Sequence, residues 1–191
     1  MVSPKLPINI IVAMDSRGGI GKNGALPWHI PEDLKYFQTM TTKTIDPTKQ
    51  NAIVMGRKVW ESLPAKWRPL KNRLNVVLSN SMDDPQDGSY IVTRTFESAI
   101  DILNGMSDKI ETIWDIGGRR PYEEGLKSSQ LRQLYVTFVE GDFDADVFFP
   151  DVDFKKFSKQ NGDKQSSEHH YEGITYRFET FTALHTDTEL S

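Results

Sequence analysis

Asp33 and Phe37 lie four residues apart in Pro31-Glu32-Asp33-Leu34-Lys35-Tyr36-Phe37, and a helix puts positions four apart on one face. Glu32 and Lys35 then point elsewhere. A carboxylate beside an aromatic ring suits a flat heterocycle with amidine-like nitrogens. The carboxylate accepts paired hydrogen bonds and the ring supplies an apolar wall. Acids are also common in first helical turns because the helix dipole favours them, so the pair alone decides nothing. What precedes it is informative: a loop with Gly18, Gly19, Gly21 and Gly24, then the rigid turn Leu26-Pro27-Trp28. Gly19-Ile20-Gly21-Lys22-Asn23-Gly24 satisfies G-x-G-x-x-G literally. No helix opens at its last glycine, however, as a Rossmann pyrophosphate site requires. The loop reads instead as a mobile lid, with Ile20 and Leu26 offering apolar contacts to a ligand beneath it.

Three more segments converge on phosphate chemistry. Ile116-Gly117-Gly118-Arg119-Arg120 sits at a strand-to-helix turn, where two glycines let backbone N–H groups approach a pyrophosphate. Met55-Gly56-Arg57-Lys58 repeats the arrangement with two adjacent cations, and Leu78-Ser79-Asn80 ends a third strand with small polar groups. A single G-G turn is usually only a turn. Three strand ends on one sheet edge call for a long, multiply charged ligand, and a dinucleotide with an extra 2′-phosphate fits.

The elements that must position these groups are legible as short apolar runs alternating with helical stretches. Strands are expected at Ile8–Met14, Ala52–Met55, Leu74–Leu78, Tyr90–Val92, Thr112–Ile116, Leu134–Val139 and Ile174–Phe181. Helices are expected from Pro31 to Met40, after Gly56, from Phe96 to Leu103 with Thr95 as cap, and from Gly118 through Leu126. The fold class is therefore α/β: a central, mostly parallel, twisted sheet of about eight strands, finished by a C-terminal antiparallel hairpin, with helices on both faces. At 191 residues the chain reads as a single domain with its core over about 8–181. Thr41–Gln50 and Lys159–Gly173 read as mobile polar stretches, and the tail after Leu184 as disordered.

Composition excludes several classes. There are 23 Lys and Arg against 27 Asp and Glu, a net charge of −4, so no overall basic footprint for nucleic acid. Cysteine is absent, which excludes thiolate metal sites and fits a reducing compartment. His169-His170 are adjacent and cannot converge as i, i+4 ligands do, so no metal is expected and the pair reads as a solvated loop. The apolar run Ile8–Met14 is too short for a signal peptide or a bilayer span. The expected compartment is the cytoplasm, with no membrane partner.

Taken together the motifs resemble those of the dihydrofolate reductases. The resemblance is carried by Ile11-Val12-Ala13, the Gly19–Gly24 loop with Leu26-Pro27-Trp28, and Asp33-Leu34-Lys35-Tyr36-Phe37. It continues through Val54-Met55-Gly56-Arg57-Lys58, Arg68-Pro69-Leu70-Lys71-Asn72-Arg73, Val76-Val77-Leu78-Ser79 and Ile116-Gly117-Gly118. Tyr122, Leu134-Tyr135-Val136-Thr137 and Phe148-Phe149-Pro150 complete it. Asp at position 33 is usual in bacterial members, whereas Lys22-Asn23-Gly24 and Phe148-Phe149-Pro150 look eukaryotic.

The resemblance implies NADPH-dependent reduction of 7,8-dihydrofolate to tetrahydrofolate, in support of one-carbon metabolism, and binding of antifolate inhibitors. It implies that Asp33, Trp28, Leu26 and Thr137 form the catalytic group, with Thr137 hydrogen-bonded to the Asp33 carboxylate and burial raising the Asp33 pKa. Ile11, Val12, Phe37, Leu63, Arg68, Leu70, Ile116 and Tyr122 would contact substrate, with Arg73 pairing with the tail α-carboxylate. Ala13, Gly19, Ile20, Gly21, Lys22, Gly24 and Ala25 would border the cofactor. Gly56, Arg57, Lys58, Val59, Leu78, Ser79 and Asn80 would continue that site, with Arg57 and Lys58 on the 2′-phosphate. Gly117, Gly118, Arg119 and Arg120 would close it. A monomer is implied, free or joined to or associated with thymidylate synthase.

Some positions depart from the family pattern. Val59 and Val147 stand where threonines are common, Asp115 where an apolar strand residue is usual, and Pro121 in a first helical turn. Trp67 would stack on the benzoyl group or cover a surface patch. Two alternatives accompany this reading: a pyrimidine reductase of riboflavin synthesis, which shares fold and NADPH, and a non-catalytic pterin- or NADPH-binding protein.

Overall fold

A computed structural model of the chain describes residues 4–160 and 167–185. The apolar, β-branched run Ile8–Met14 forms β1, buried throughout except for the half-buried Ala13, as a strand covered on both faces must be. Around it lie β3 (Gln50–Gly56), β4 (Arg73–Leu78), β5 (Ile91–Thr93), β6 (Ile110–Asp115) and β7 (Leu131–Val139). All six pair in parallel, and β11 (Ile174–Ala183) returns antiparallel to β7. With β10 (His169–Tyr171) the order across the sheet is β10-β11-β7-β1-β6-β3-β4-β5. A ninth strand, β9 (Phe157–Lys159), lies along β11. This is the expected α/β sheet with its C-terminal antiparallel hairpin.

Alternation along the strands builds two cores. Ile53 and Met55 of β3 face α1 (Pro31–Thr42) and α2 (Arg57–Ser62) together with Ile11, Trp114 and Ile116. Ala52 and Val54 face α3 (Phe96–Asn104), and Ile10 and Leu134 face α4 (Arg119–Lys127). Helices therefore cover both faces. The C-terminal ends of the parallel strands open on one edge, where open α/β sheets bind ligands.

Three expectations about loops change. The glycine loop is not free: Gly19–Gly21 is β2, paired with β8 (Val147–Phe148). Gly19 N–H donates to Asp15 Oδ1 at 2.8 Å, Asp146 N–H to Gly21 O at 2.9 Å and Phe149 N–H to Gly18 O at 2.8 Å. Strands of two or three residues carry no readable period, so only the partner strand reveals them. The Thr41–Gln50 stretch is tied down as well. Asn51 Nδ2 donates to Thr41 O and Lys43 O, and the Glu111 carboxylate accepts the Ile45 and Asp46 N–H groups. Within Lys159–Gly173 the strand β10 forms, with residues 161–166 outside those described, as is the expected disordered tail beyond residue 185.

Candidate active site

A cleft of about 1820 Å³ runs along the C-terminal edge of the sheet. That is well beyond the roughly 300–1,000 Å³ of a one-ligand pocket, and two ligands end to end would fill it. At one end Ile11, Val12 and Ala13 of β1, Ile116, Tyr122 and Thr137 surround Asp33, with Phe37 and Leu63 on the wall. The other end is bounded by Gly56, Arg57, Lys58 and Val59, by Leu78, Ser79 and Asn80, and by Gly118, Arg119 and Arg120. Ile20, Gly21, Gly24, Ala25 and Leu26 also line the cleft, with Val147 from β8.

Asp33 enters this cleft because Pro31 starts α1 directly after Ile30, which puts the acid in the first turn. Only 9% of it is exposed. Thr137 Oγ1, near the C-terminal end of β7, donates to Asp33 Oδ1 at 2.7 Å. Burial pushes the Asp33 pKa from 3.8 to about 6, with Glu32 adding to the rise and the Thr137 bond opposing it. The group is thus an ionised carboxylate at neutral pH that picks up a proton in mild acid.

The Tyr122 hydroxyl lies 2.9 Å from Ile11 O and 3.0 Å from Ile116 O, and its one proton is donated to one of these carbonyls. Burial holds that phenol well above its usual range. The ring also dictates the neighbouring turn. Gly117 has φ +92°, and a Cβ there would meet the Tyr122 ring at 2.5 Å, so only glycine fits. The Gly117–Gly118 peptide is cis. Gly56 N–H donates to Gly117 O at 2.7 Å, which couples the two glycine turns foreseen in the sequence. A Cβ on Gly118 would have only Val59 near it, at 3.9 Å, so that side of the turn is open, as backbone approach to a pyrophosphate requires. Val59 therefore packs on the turn as an apolar side chain without a hydroxyl to offer.

Cations gather at the same end. Arg57 Nε bonds Glu61 at 2.6 Å and its guanidinium donates to Ser81 Oγ, while Lys58 is exposed. Arg94, which the sequence reading did not single out, joins them, donating to Ser79 O at 2.6 Å and Met82 O at 2.7 Å. The signal was available: Thr93-Arg94-Thr95 follows β5 and caps α3, a fourth strand end on the same edge. Leu34 was also missed. It is 42% exposed, lines the Asp33 end, and lies three residues before Phe37 on the same helix face.

Several expected residues stand outside the cleft wall. Trp28 is buried against Phe143, with ring centroids 5.3 Å apart. Gly19 and Gly117 form the backs of their turns, and Lys22 pairs with Asp144 at 2.9 Å. Leu70 packs into the core beneath α1. Arg68 lies over the Trp60 ring, 5.5 Å from its centroid, and donates to Trp60 O. Arg73 is 9% exposed and donates to Lys71 O and to Thr41 Oγ1 at 3.0 Å, and burial lowers its pKa. Trp67 is 53% exposed, away from the cleft. His169 is not in a solvated loop: it stacks on Tyr176 in β10–β11, with Nδ1 3.4 Å from Glu32 Oε2.

The dihydrofolate reductase family model matches residues 7–183. The dihydrofolate reductase of Sus scrofa is 37% identical over 180 residues, 92% of this chain and 97% of its own. A Caenorhabditis elegans protein bearing that name is 44% identical over 163 residues, 84% of this chain and 86% of its own. The solved Schistosoma mansoni dihydrofolate reductase superposes with a TM-score of 0.82 at 36% identity, over 94% of this chain and 100% of that one. With the family model spanning nearly the whole chain and relatives well above 30% identity over most of it, the chain belongs to the dihydrofolate reductase family.

Proposed function

We infer that this chain reduces 7,8-dihydrofolate to tetrahydrofolate with NADPH. The observation that carries the reading is the buried Asp33 carboxylate, bonded to Thr137 at 2.7 Å, at one end of a cleft whose other end is cationic and glycine-lined. Ionised, Asp33 accepts the paired N–H groups of a pterin ring, and Phe37, Leu34, Leu63 and Ile116 form apolar walls for that ring and the benzoyl group. Arg73, held by Thr41 and Lys71, would pair with the carboxylate of the glutamate tail, as a guanidinium fork suits. The Gly56 and Gly118 turns would hold the pyrophosphate, and Arg57, Lys58 and Arg94 the 2′-phosphate.

NADPH supplies the hydride. The protein's part is alignment and exclusion of water, with Ile20 and Leu26 covering the junction of the two rings. Hydride transfer to C6 is easy only when N5 is protonated. Asp33 favours that protonation through the charge it places at the pterin edge, and a water admitted beneath Leu26 delivers the proton.

Loss of near-ultraviolet NADPH absorbance on adding dihydrofolate tests the reading, with NADH and Asp33→Asn in parallel. Oxidation that prefers NADPH and needs Asp33 is expected. Binding of both ligands without oxidation would mean a pterin-binding protein instead. We further read the chain as a cytoplasmic monomer, free or joined to thymidylate synthase. The lack of cysteine supports the compartment, and no helix among the described residues is long and apolar enough to cross a membrane.

A further inference from the structure

Asp115 ends β6, and strand alternation sends its side chain away from the cleft-facing Ile116 and beneath α4. None of it is exposed. Its neighbours across the sheet are Ile10 of β1 and Val54 of β3, neither of them charged. From α4 it meets Gly125, where a Cβ would lie 2.4 Å from Oδ2. The titratable groups facing it come from α4 alone: the Tyr122 phenol and the like-charged Glu124, itself 3.6 Å from Arg120. Oδ1 accepts the Gly117 N–H at 3.1 Å, and Oδ2 has no partner among the described residues. Among the described residues no cation acts on it to stabilise an ionised form, and burial pushes the carboxyl to about 8.

We propose that Asp115 is a positioning residue for the dinucleotide, holding the glycine turn through Gly117 N–H, and that it does so as the neutral acid. The proposal rests on the reading that the Gly56 and Gly118 turns receive the pyrophosphate. Asp115 Oδ1 holds Gly117 N–H and Gly117 O holds Gly56 N–H, so one side chain anchors both turns in series. Ionisation would put an uncompensated buried charge beside Glu124 and two residues from the bound pyrophosphate. The repulsion from the pyrophosphate exists only in the complex, so cofactor affinity falls as the acid titrates.

The test is the dissociation constant of NADPH, read from quenching of protein fluorescence between pH 7 and 9.5, for wild type, Asp115→Asn and Asp115→Leu. In the wild type, binding should weaken about fivefold across the range. The amide variant keeps an acceptor and cannot ionise, so it should match wild type at pH 7 and stay flat. The leucine variant loses the acceptor and should bind about fivefold more weakly at every pH. An Asn variant that keeps the alkaline weakening overturns the neutral-acid role. A folded Leu variant that binds as wild type does overturns the anchoring role, and if it does not fold, the Asn profile still decides. Wild-type protein that binds no NADPH would overturn the reading of the turns as well.

Discussion

Thr137 Oγ1 and Asp33 Oδ1 lie 2.7 Å apart, a contact between a sheet residue and a helix residue 104 positions away. The bond stabilises the ionised carboxylate and so opposes the upward push of burial. Thr137→Val should therefore raise the Asp33 pKa above 6. The acid limb of kcat/KM would move to higher pH and activity at neutrality would fall severalfold. A profile superposable on wild type would show that the hydroxyl contributes nothing to the carboxylate.

Asp33→Asn removes the charge without changing shape. Turnover at pH 7 should drop about 10²- to 10³-fold and recover partly in acid, where substrate arrives protonated. Antifolates with a protonatable, amidine-like ring should lose more affinity than NADPH does, because the charged pair goes and the cofactor end is untouched. Stopped-flow turnover and equilibrium titration of each ligand check both statements.

On the proposed reading, the cationic end would set cofactor choice. Arg94→Ala should raise KM for NADPH by roughly tenfold, the worth of a charge-assisted hydrogen bond, and leave NADH kinetics almost unchanged. Equal losses with both cofactors would place Arg94 in the scaffold, where its bonds to Ser79 O and Met82 O already tie two loops together.

Gly125 and Asp115 form a size-matched pair. A Cβ on Gly125 would lie 2.4 Å from Asp115 Oδ2, with Ile10 Cδ1 at 3.2 Å, so Gly125→Ala should cost about 1–3 kcal/mol. Adding Asp115→Ala should return part of that loss, and a double-mutant cycle of urea unfolding measures the coupling.

Asp115 also shapes stability against pH. Its folded pKa, about 8, lies above its unfolded 3.8, so the native state binds the extra proton between those values. The linked stability is fully present below about pH 4, declines through the window, and is gone above about 8. Asp33, raised to about 6, acts in the same direction over the lower half. Asp115→Asn should thus gain in melting temperature over wild type as pH rises from 4 to 8, and the gap should then level off.

The strands β1, β4 and β7 and the helix α3 were legible because each buries an apolar face, and burial writes its period into the sequence; α1 was legible from the proline at its first turn. So were the glycine turns at Gly56 and Gly117, since glycines at a strand end mark a strand-to-helix turn. The β2–β8 pairing was not legible, because strands of three and two residues have no readable period and pair through their backbones. Leu34 and Arg94 were missed for a different reason: an exposed leucine and a surface arginine look the same in sequence whether or not a cleft lies beside them.

Residue types and local spacing by themselves determined the α/β architecture, the acid on the first turn of α1 and the glycine–cation strand ends, because those depend on contacts within a few residues. Only the tertiary structure decided which groups meet. Thr137 finds Asp33, Arg94 joins Arg57 and Lys58, and the hydroxyl of Tyr122 bridges β1 and β6, all through the order of strands across the sheet. The same holds for Asp115, an acid that the sequence left without an explanation. Its environment comes from α4 crossing above the end of β6, and desolvation by that crossing, more than any nearby charge, sets its protonation state.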